Sequence, residues 1–133
     1  MKMNKLLLDT NAVRKLADGD EVLRRVLDDA EKVYLSVVVL GELYYGYKGG
    51  NREAKNRIWL QDFMEKLGLE ILVVEENTAD FYAEIKEKLR KKGKPIPSND
   101  LWIAAQALEN GTVLVTDDRH FEEVAGLRVW GIS

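Results

Sequence analysis

The fold is decided by the stretch Lys5-Leu6-Leu7-Leu8-Asp9-Thr10-Asn11, near the start of the chain. Its three consecutive leucines indicate a short buried strand, and Thr10-Asn11 offer the side-chain oxygens that commonly cap a helix. We therefore predict a strand that leads directly into a helix. Asp9 then stands at the carboxyl end of that strand.

Short apolar runs and amphipathic stretches alternate along the rest of the chain. We predict further strands over residues 32–35, 69–74, 112–115 and 127–130. The predicted helices cover 12–30 in two pieces, 36–45, 51–67, 77–93, 101–108 and 119–124, with caps at Ser36, at Asn77 or Thr78, and at Ser98. This alternation predicts an α/β domain over residues 1–133, with a mainly parallel sheet covered by helices on both faces. Sites in such sheets form outside the carboxyl ends of the strands.

Composition excludes several classes of protein and of site. The 133 residues include no cysteine, which rules out disulfides and thiolate zinc sites. The net charge of −3 gives no global sign of nucleic-acid binding, so any phosphate-binding charge must be local. The apolar runs are shorter than the roughly 20 residues of a membrane span or the 7–15 of a signal peptide. We expect a cytoplasmic protein that does not contact membranes.

Acidic residues lie where the predicted sheet should carry its chemistry. Asp9 follows the first strand and Asp117-Asp118 follow the fourth, while Glu42 and Asp100 lie on otherwise apolar helices. A charge beside core residues is costly unless something neutralises it. Carboxylates without histidine or cysteine are hard oxygen ligands, which suit Mg²⁺ or Mn²⁺ better than Zn²⁺. Such a cluster, holding a metal pair, can support phosphodiester cleavage by activated water.

Each acid also has a simpler structural explanation. Asp100 could only complement a helix dipole, and Asp118 could be a turn or cap residue. Asp9 could serve the start of a helix, and Glu42 could meet a buried arginine. The joint arrangement, rather than any one of these residues, favours a metal site.

Basic and histidine side chains near the predicted acids give weaker signals. The nearby cations in sequence that could neutralise the acids are Arg119 and Lys48, with His120 as a third candidate. We interpret His120, the single histidine, as a packing or surface residue. Gly49-Gly50 lack the lysine and hydroxyl of a phosphate loop and are predicted to end a helix.

At the acidic residues the sequence resembles the PIN-domain nucleases, and within them the VapC-type toxins of toxin–antitoxin pairs. Four segments carry the resemblance and cover nearly the whole chain in the expected order. They are Leu6-Leu7-Leu8-Asp9-Thr10-Asn11, then Ser36 through Gly41-Glu42-Leu43 to Gly46, then Pro97-Ser98-Asn99-Asp100-Leu101-Trp102-Ile103-Ala104-Ala105, and Leu114-Val115-Thr116-Asp117-Asp118-Arg119-His120-Phe121.

The resemblance implies a PIN-like three-layer sandwich with strand order 3-2-1-4-5. It also implies a Mg²⁺-dependent endoribonuclease, a homodimer, and a VapB-like antitoxin encoded beside it. Asp9, Glu42 and Asp100 match the first three acids of the family, and Asp118 is assigned as the fourth. Asp117 is kept as an outer ligand. The residues expected to support the carboxylates are Thr10, Asn11 and Thr116.

A basic segment precedes the helix that carries Asp100. Residues 84–94 include six lysines and arginines and two glutamates, which leaves a local charge of +4. The segment could be a solvated helix end whose cations suit the helix dipole. It could instead contact RNA phosphates, and we predict that role for Lys91, Lys92 and Arg119.

Two other functions compete with the nuclease. A phosphoreceiver domain also places acids at strand ends, but it carries an acidic pair after its first strand and a lysine after its last. Here Asp9 stands alone, and no lysine follows residue 94. A PIN-fold module that binds RNA or protein without cleaving would be expected to lack one of the acids, and all four are present.

Overall fold

The computed structural model describes residues 5–131. The ends of the predicted domain, residues 1–4 and 132–133, lie outside this range. The elements in chain order are β1 (Lys5–Leu8), α1 (Thr10–Ala17), α2 (Glu21–Asp28), β2 (Lys32–Ser36), α3 (Val37–Lys48), α4 (Glu53–Leu67), β3 (Glu70–Leu72), α5 (Glu76–Lys92), α6 (Ser98–Asn110), β4 (Val113–Val115), a short 3-10 helix (Arg119–Glu123) and β5 (Arg128–Trp130).

The five strands form one parallel sheet in the order β3-β2-β1-β4-β5. The leucines of β1 occupy its centre, where Leu6 pairs with Val33 on one side and Val113 on the other. Leu6, Leu7 and Leu8 are completely buried, because both faces of a central parallel strand are covered by helices. The predicted fold and strand order are confirmed.

The sheet reverses its winding between β1 and β4. The chain builds outward from β1 through β2 to β3, then returns to place β4 on the other side of β1. Because crossovers between parallel strands are right-handed, the reversal puts α1–α4 on one face and α5 and α6 on the other. The crevice outside the carboxyl ends of β1 and β4 is the topological switch point where such sheets bind ligands.

A continuous apolar core lies between the sheet and the helices. Within the described residues, every helix and strand except β3 and β5 contributes a residue that is at least 95% buried. Among residues 5–131, none of the helices is both long enough and apolar enough to cross a membrane.

Three predicted helix caps are wrong. Helix α1 has Asp9, rather than Thr10 or Asn11, as its N-cap. Two later helices also differ from the prediction. Helix α5 has Glu75, rather than Asn77 or Thr78, as its N-cap, and the buried Thr78 hydroxyl accepts a hydrogen bond from the Glu75 N–H at 3.0 Å. Helix α6 already includes Ser98, because the carbonyl of Pro97 accepts the first helical hydrogen bond from Leu101 N–H at 3.0 Å. In both cases the helix begins earlier than its best capping side chain suggests.

Strand β3 and helix α3 also differ in length from the prediction. β3 ends at Leu72 rather than residue 74, because its partner β2 ends at Ser36, which pairs with Leu72. Helix α3 does begin after the predicted cap Ser36, whose Oγ accepts from Val38 N–H at 3.0 Å. It continues through Gly46 to Lys48, so Gly46 is an interior helix residue and Gly49 follows the helix end.

Candidate metal centre

Asp9 and Thr116 meet at the switch point of the sheet. Asp9 follows β1, is only 6% exposed, and caps α1 by accepting a hydrogen bond from Ala12 N–H at 2.9 Å. Its other oxygen accepts from the Thr116 hydroxyl, which follows β4, at 2.5 Å. The Thr116 oxygen also accepts from Asp118 N–H at 3.0 Å. One buried threonine therefore fixes both the first carboxylate and the backbone of the fourth.

Glu42 reaches the same place from the middle of α3. The Thr10 hydroxyl, in the first turn of α1, donates to Glu42 Oε1 at 2.9 Å. The hydrogen bond joins α1 to α3 and holds Glu42 at the wall of the cavity that Asp9 also lines. The predicted supporting position of Thr10 thus corresponds to an observed contact.

His120 lies between two of the predicted acids. Its Nε2 is 2.7 Å from Asp100 Oδ2, and its Nδ1 is 3.0 Å from Asp118 Oδ1. Ligand atoms of these three side chains lie within 4.8 Å of one another, a grouping compact enough to hold a cation. The interpretation of His120 as a packing or surface residue is therefore wrong. Its position two residues after Asp118 was the available signal, since the 3-10 turn brings the ring back over that carboxylate.

Asp117 points away from this group. Its Oδ1 accepts from Asn11 Nδ2 at 3.3 Å, and its Oδ2 lies 3.6 Å from Lys15 Nζ. Asp118, by contrast, lines the cavity formed by the other acids. Asn11 therefore supports Asp117 rather than a carboxylate of the cluster.

The four carboxylates surround an open cavity of about 580 Å³. It is lined by Asp9, Thr10, Asn11, Arg14, Glu42, Tyr45, Gly46, Asn99, Asp100, Ile103, Asp118 and Phe121. Each acid comes from a different segment: the end of β1, α3, the first turn of α6, and the turn after β4. The structure brings together the four residues that the sequence predicted as catalytic.

The cations near the cluster differ from those expected. Lys48 pairs with Glu53 at 3.0 Å, and the exposed Arg119 does not line the cavity. Arg14 lines it instead. Arg14 follows Thr10 by four residues, so both project from the same face of α1. That spacing could have identified it from the sequence.

Three of the six cations in the predicted basic segment form ion pairs. Lys92 lies 3.1 Å from Glu123, Arg90 contacts Glu87, and Lys88 contacts Glu84. Lys92 lines another cavity, which has no lining residue in common with that of the carboxylates. Lys91 is exposed and makes no ion pair within residues 5–131.

Burial and mutual repulsion make the negative charges of the cluster costly. Burial raises the pKa of Asp9, against hydrogen bonds from Thr116 and Ala12 that lower it, and the carboxylates of Asp117 and Asp100 add to the rise. Burial likewise raises the pKa of Asp100, although His120 opposes this effect. A bound cation would relieve both, so the site fits a divalent metal. The compact donor group offers a His120 nitrogen beside the carboxylate oxygens of Asp100 and Asp118, so the expectation of ligands without histidine is wrong.

The comparisons with known proteins agree with this geometry. A model of the PIN domain matches residues 6–127. Ribonuclease VapC2 of Haemophilus influenzae is 36% identical over 129 residues, covering 95% of this chain and 96% of the relative. The tRNA(fMet)-specific endonuclease VapC of Salmonella typhimurium is 29% identical and covers 96% and 97% of the two chains.

A solved structure shows the same fold. The DNA-bound VapBC of Salmonella typhimurium superposes with a TM-score of 0.86 at 29% identity, covering 97% of this chain and 98% of the other. The switch-point site, the order of its motifs and the similarity along nearly the whole sequence lead to one assignment. The chain belongs to the PIN-domain family and, within it, to the VapC proteins.

Proposed function

We propose that this protein is a metal-dependent endoribonuclease and the toxin of a toxin–antitoxin pair. The observation that carries the proposal is the convergence of Asp9, Glu42, Asp100 and Asp118 on one open cavity at the switch point. The raised pKa values of Asp9 and Asp100 mark a site built to receive positive charge. The ribonuclease names of the VapC relatives support RNA as the substrate.

The four acids take different roles in this proposal. Asp9, Asp100 and Asp118 would hold Mg²⁺, or Mn²⁺ in its place, and Glu42 would complete the cluster as a ligand or as the base that activates water. Asp117 acts from outside, through Asn11 and the turn after β4. Bound there, the metal would lower the pKa of water and stabilise charge on the phosphate. Thr116 and Thr10 keep Asp9 and Glu42 oriented, and Arg119, Lys91 and Lys92 contact RNA beyond the cluster.

Cleavage assays on purified protein, freed of any partner, test the proposed activity. We expect a labelled RNA to be cut in Mg²⁺ or Mn²⁺ and left intact in excess chelator. Asp100→Asn should abolish cleavage, since the amide keeps the shape of the side chain but removes its charge. Asp80→Asn is the matched control, because Asp80 is exposed on α5 and lines none of the cavities described above. Equal activity of the two variants would contradict the proposal.

The choice of RNA follows from the relatives. One of them is named for specificity toward tRNA(fMet), so tRNA is the first substrate to test. A mixture of cellular tRNAs, followed by mapping of the cut ends, would show whether a single species is selected. Binding of RNA without any cut, in saturating metal, would favour the non-catalytic PIN module instead.

The proposal extends to location and partners. We propose a single catalytic domain over residues 1–133 that acts in the cytoplasm as a homodimer. A VapB-like antitoxin would block the site, as the VapBC complexes of the relatives suggest. An arginine of such a partner could pair bidentately with the clustered carboxylates in place of the metal.

Expression of the chain with and without its partner tests this part. We expect the chain alone to slow growth, the Asp9→Ala variant to be tolerated at equal soluble levels, and the co-expressed partner to copurify and suppress cleavage. If wild type and Asp9→Ala are equally harmless, the toxin assignment fails. The metal-dependent cleavage in vitro is a separate result and would stand.

A further inference from the structure

A second cavity adjoins the carboxylate cavity. It has a volume of about 550 Å³, lies between α1, α3 and α4, and shares Arg14 and Gly46 with its neighbour. Its other lining residues are Val13, Ala17, Asp18, Tyr47, Arg52, Lys55, Asn56 and Trp59. Arg14 therefore lies at the boundary between the two cavities.

We propose that a single-stranded segment of RNA extends from the carboxylate cavity over Arg14 into this second cavity. Arg14, Arg52 and Lys55 hold its backbone phosphates there. The inference rests on the proposed ribonuclease function and adds the path of the substrate. It assigns phosphate binding to residues scattered over α1 and the start of α4, rather than to a run of charges in the sequence.

The charge balance of the second cavity supports an anionic ligand. Arg14, Arg52 and Lys55 line it against a single acid, Asp18. These three cations form no ion pair with any residue between 5 and 131, unlike Lys88, Arg90 and Lys92 of the basic segment. Cations on a concave surface attract phosphate most strongly when no carboxylate of the protein already neutralises them.

The Arg14 guanidinium lies against Gly46, which has no side chain to displace it. A Cβ on Gly46 would lie 3.1 Å from Arg14 Nη2, closer than side chains ordinarily pack, so the missing side chain leaves room for the planar group. A guanidinium can donate two parallel hydrogen bonds to one phosphate. Arg14 is thus a positioning residue for the phosphate next to the one that is cut.

Trp59 makes the cavity suitable for a single strand. It lines the wall beside Lys55, partly buried, and stacks on Phe63 with 5.0 Å between ring centroids. Grooves that bind single strands without sequence preference combine cations along the backbone with aromatic rings that bases can contact. The second cavity combines the two kinds of side chain.

Salt-dependent binding of a 12-nucleotide single-stranded RNA tests the inference. All proteins carry Asp100→Asn so that the RNA is not cut. The test variant adds Arg14→Ala, Arg52→Ala and Lys55→Ala. The control adds Lys5→Ala, Arg25→Ala and Lys66→Ala, which remove the same charge from exposed positions that line neither cavity.

We expect the Kd of the test variant to rise about tenfold near 0.1 M salt, as three exposed ion pairs would allow. The slope of log affinity against log salt should flatten by about 2, because each phosphate contact to a single strand contributes about 0.7. The control should keep most of its affinity and its slope. Should the test variant lose its melting transition, Lys55→Ala alone should flatten the slope by about 0.7.

Several results would overturn the inference. Equal losses in the test variant and the control would mean that only overall charge matters. Unchanged binding of the test variant, in a protein whose wild type cleaves RNA, would refute the path but leave the nuclease proposal intact. If the test variant binds RNA normally but no longer copurifies with its partner, the cavity is a protein-docking surface. A wild type that neither binds nor cuts RNA removes both proposals.

Discussion

Removing the Thr116 hydroxyl should destabilise the protein more than removing any ordinary buried hydroxyl. Thr116→Val keeps the volume of the side chain but deletes the donor to Asp9 and the acceptor for Asp118 N–H. Thr116 is only 1% exposed, so water cannot replace these bonds. A hydrogen bond to a charged group contributes about 1.5–3 kcal/mol. We expect a loss of about 2–3 kcal/mol in the free energy of unfolding at pH 7.

Thr112→Val is a matched control for this substitution. Thr112 is also buried and precedes the same strand, β4, but its hydroxyl lies 3.5 Å from the Ala107 carbonyl, at the limit of a hydrogen bond. Its replacement should cost less than about 1 kcal/mol. Urea unfolding of both variants in chelator, with the m-value checked for constancy, gives the comparison. Equal costs for Thr116→Val and Thr112→Val would refute the role assigned to Thr116.

The cost of Thr116→Val should depend on pH in a defined direction. The Thr116 hydrogen bond lowers the pKa of Asp9 against the stronger effect of burial, which raises it. Without that bond the folded-state pKa rises further, so ionising Asp9 costs more stability. The extra cost is absent below the ordinary aspartate value of 3.8 and grows as pH rises through the raised folded-state pKa. A cost that is constant from pH 4 to 8 would contradict this explanation.

Three further predictions concern charge, at the carboxylate cavity and in the basic segment. Asp100→Asn should keep or raise stability in chelator, since burial and neighbouring carboxylates already raise the pKa of Asp100; a clear loss in urea unfolding would contradict this. Mg²⁺ at a hundred times its Kd should stabilise the folded wild type by about 2.7 kcal/mol and so raise its melting temperature. The melting temperature of Asp100→Asn should not rise. Lys91→Ala should weaken RNA binding more than Lys92→Ala, because Lys92 already pairs with Glu123. Equal effects, or none, would mean that the basic segment is only a solvated surface.

The sequence predicted the sheet well because its signals were local and consistent. The leucines of β1 and the alternating elements identify a parallel sheet, and the motif resemblance supplied the strand order. Prediction was weaker at helix starts, where several residues can provide the cap. The start of α6 shows this, since the extended backbone at Pro97 provides the first carbonyl and the hydroxyl of Ser98 makes no cap bond.

The site was predicted in part. Residues identified from their local sequence were found, whereas contacts between segments far apart in the sequence were not. The four acids could be found because each lies at a strand end or on an apolar helix, features that are visible in sequence. The orientation of Asp117 could not, since it depends on a contact with Asn11 from a distant segment. For His120 the contact with Asp118 had a local signal, but the contact with Asp100 had none. The basic run from Lys86 to Lys94 suggested an RNA surface, and the ion pair of Lys92 with the distant Glu123 was the one that the local charge count could not include.

The distribution of charge around the cavity explains why acids and cations occupy separate parts of the site. Four carboxylates line it, and Arg14, at its boundary, is the one permanently charged cation among its lining residues. His120 contacts Asp100 and Asp118, and Arg14 lines the cavity, but burial still raises the pKa of Asp9 and Asp100, so a bound metal would relieve the charge that remains. RNA is itself an anion and would be repelled by the bare cluster. Cations beyond the cluster, at Arg52 and Lys55, can attract the strand without competing with the metal for the carboxylates. The arrangement thus separates the groups that bind metal from those proposed to bind phosphate, and Arg14 lies where the two meet.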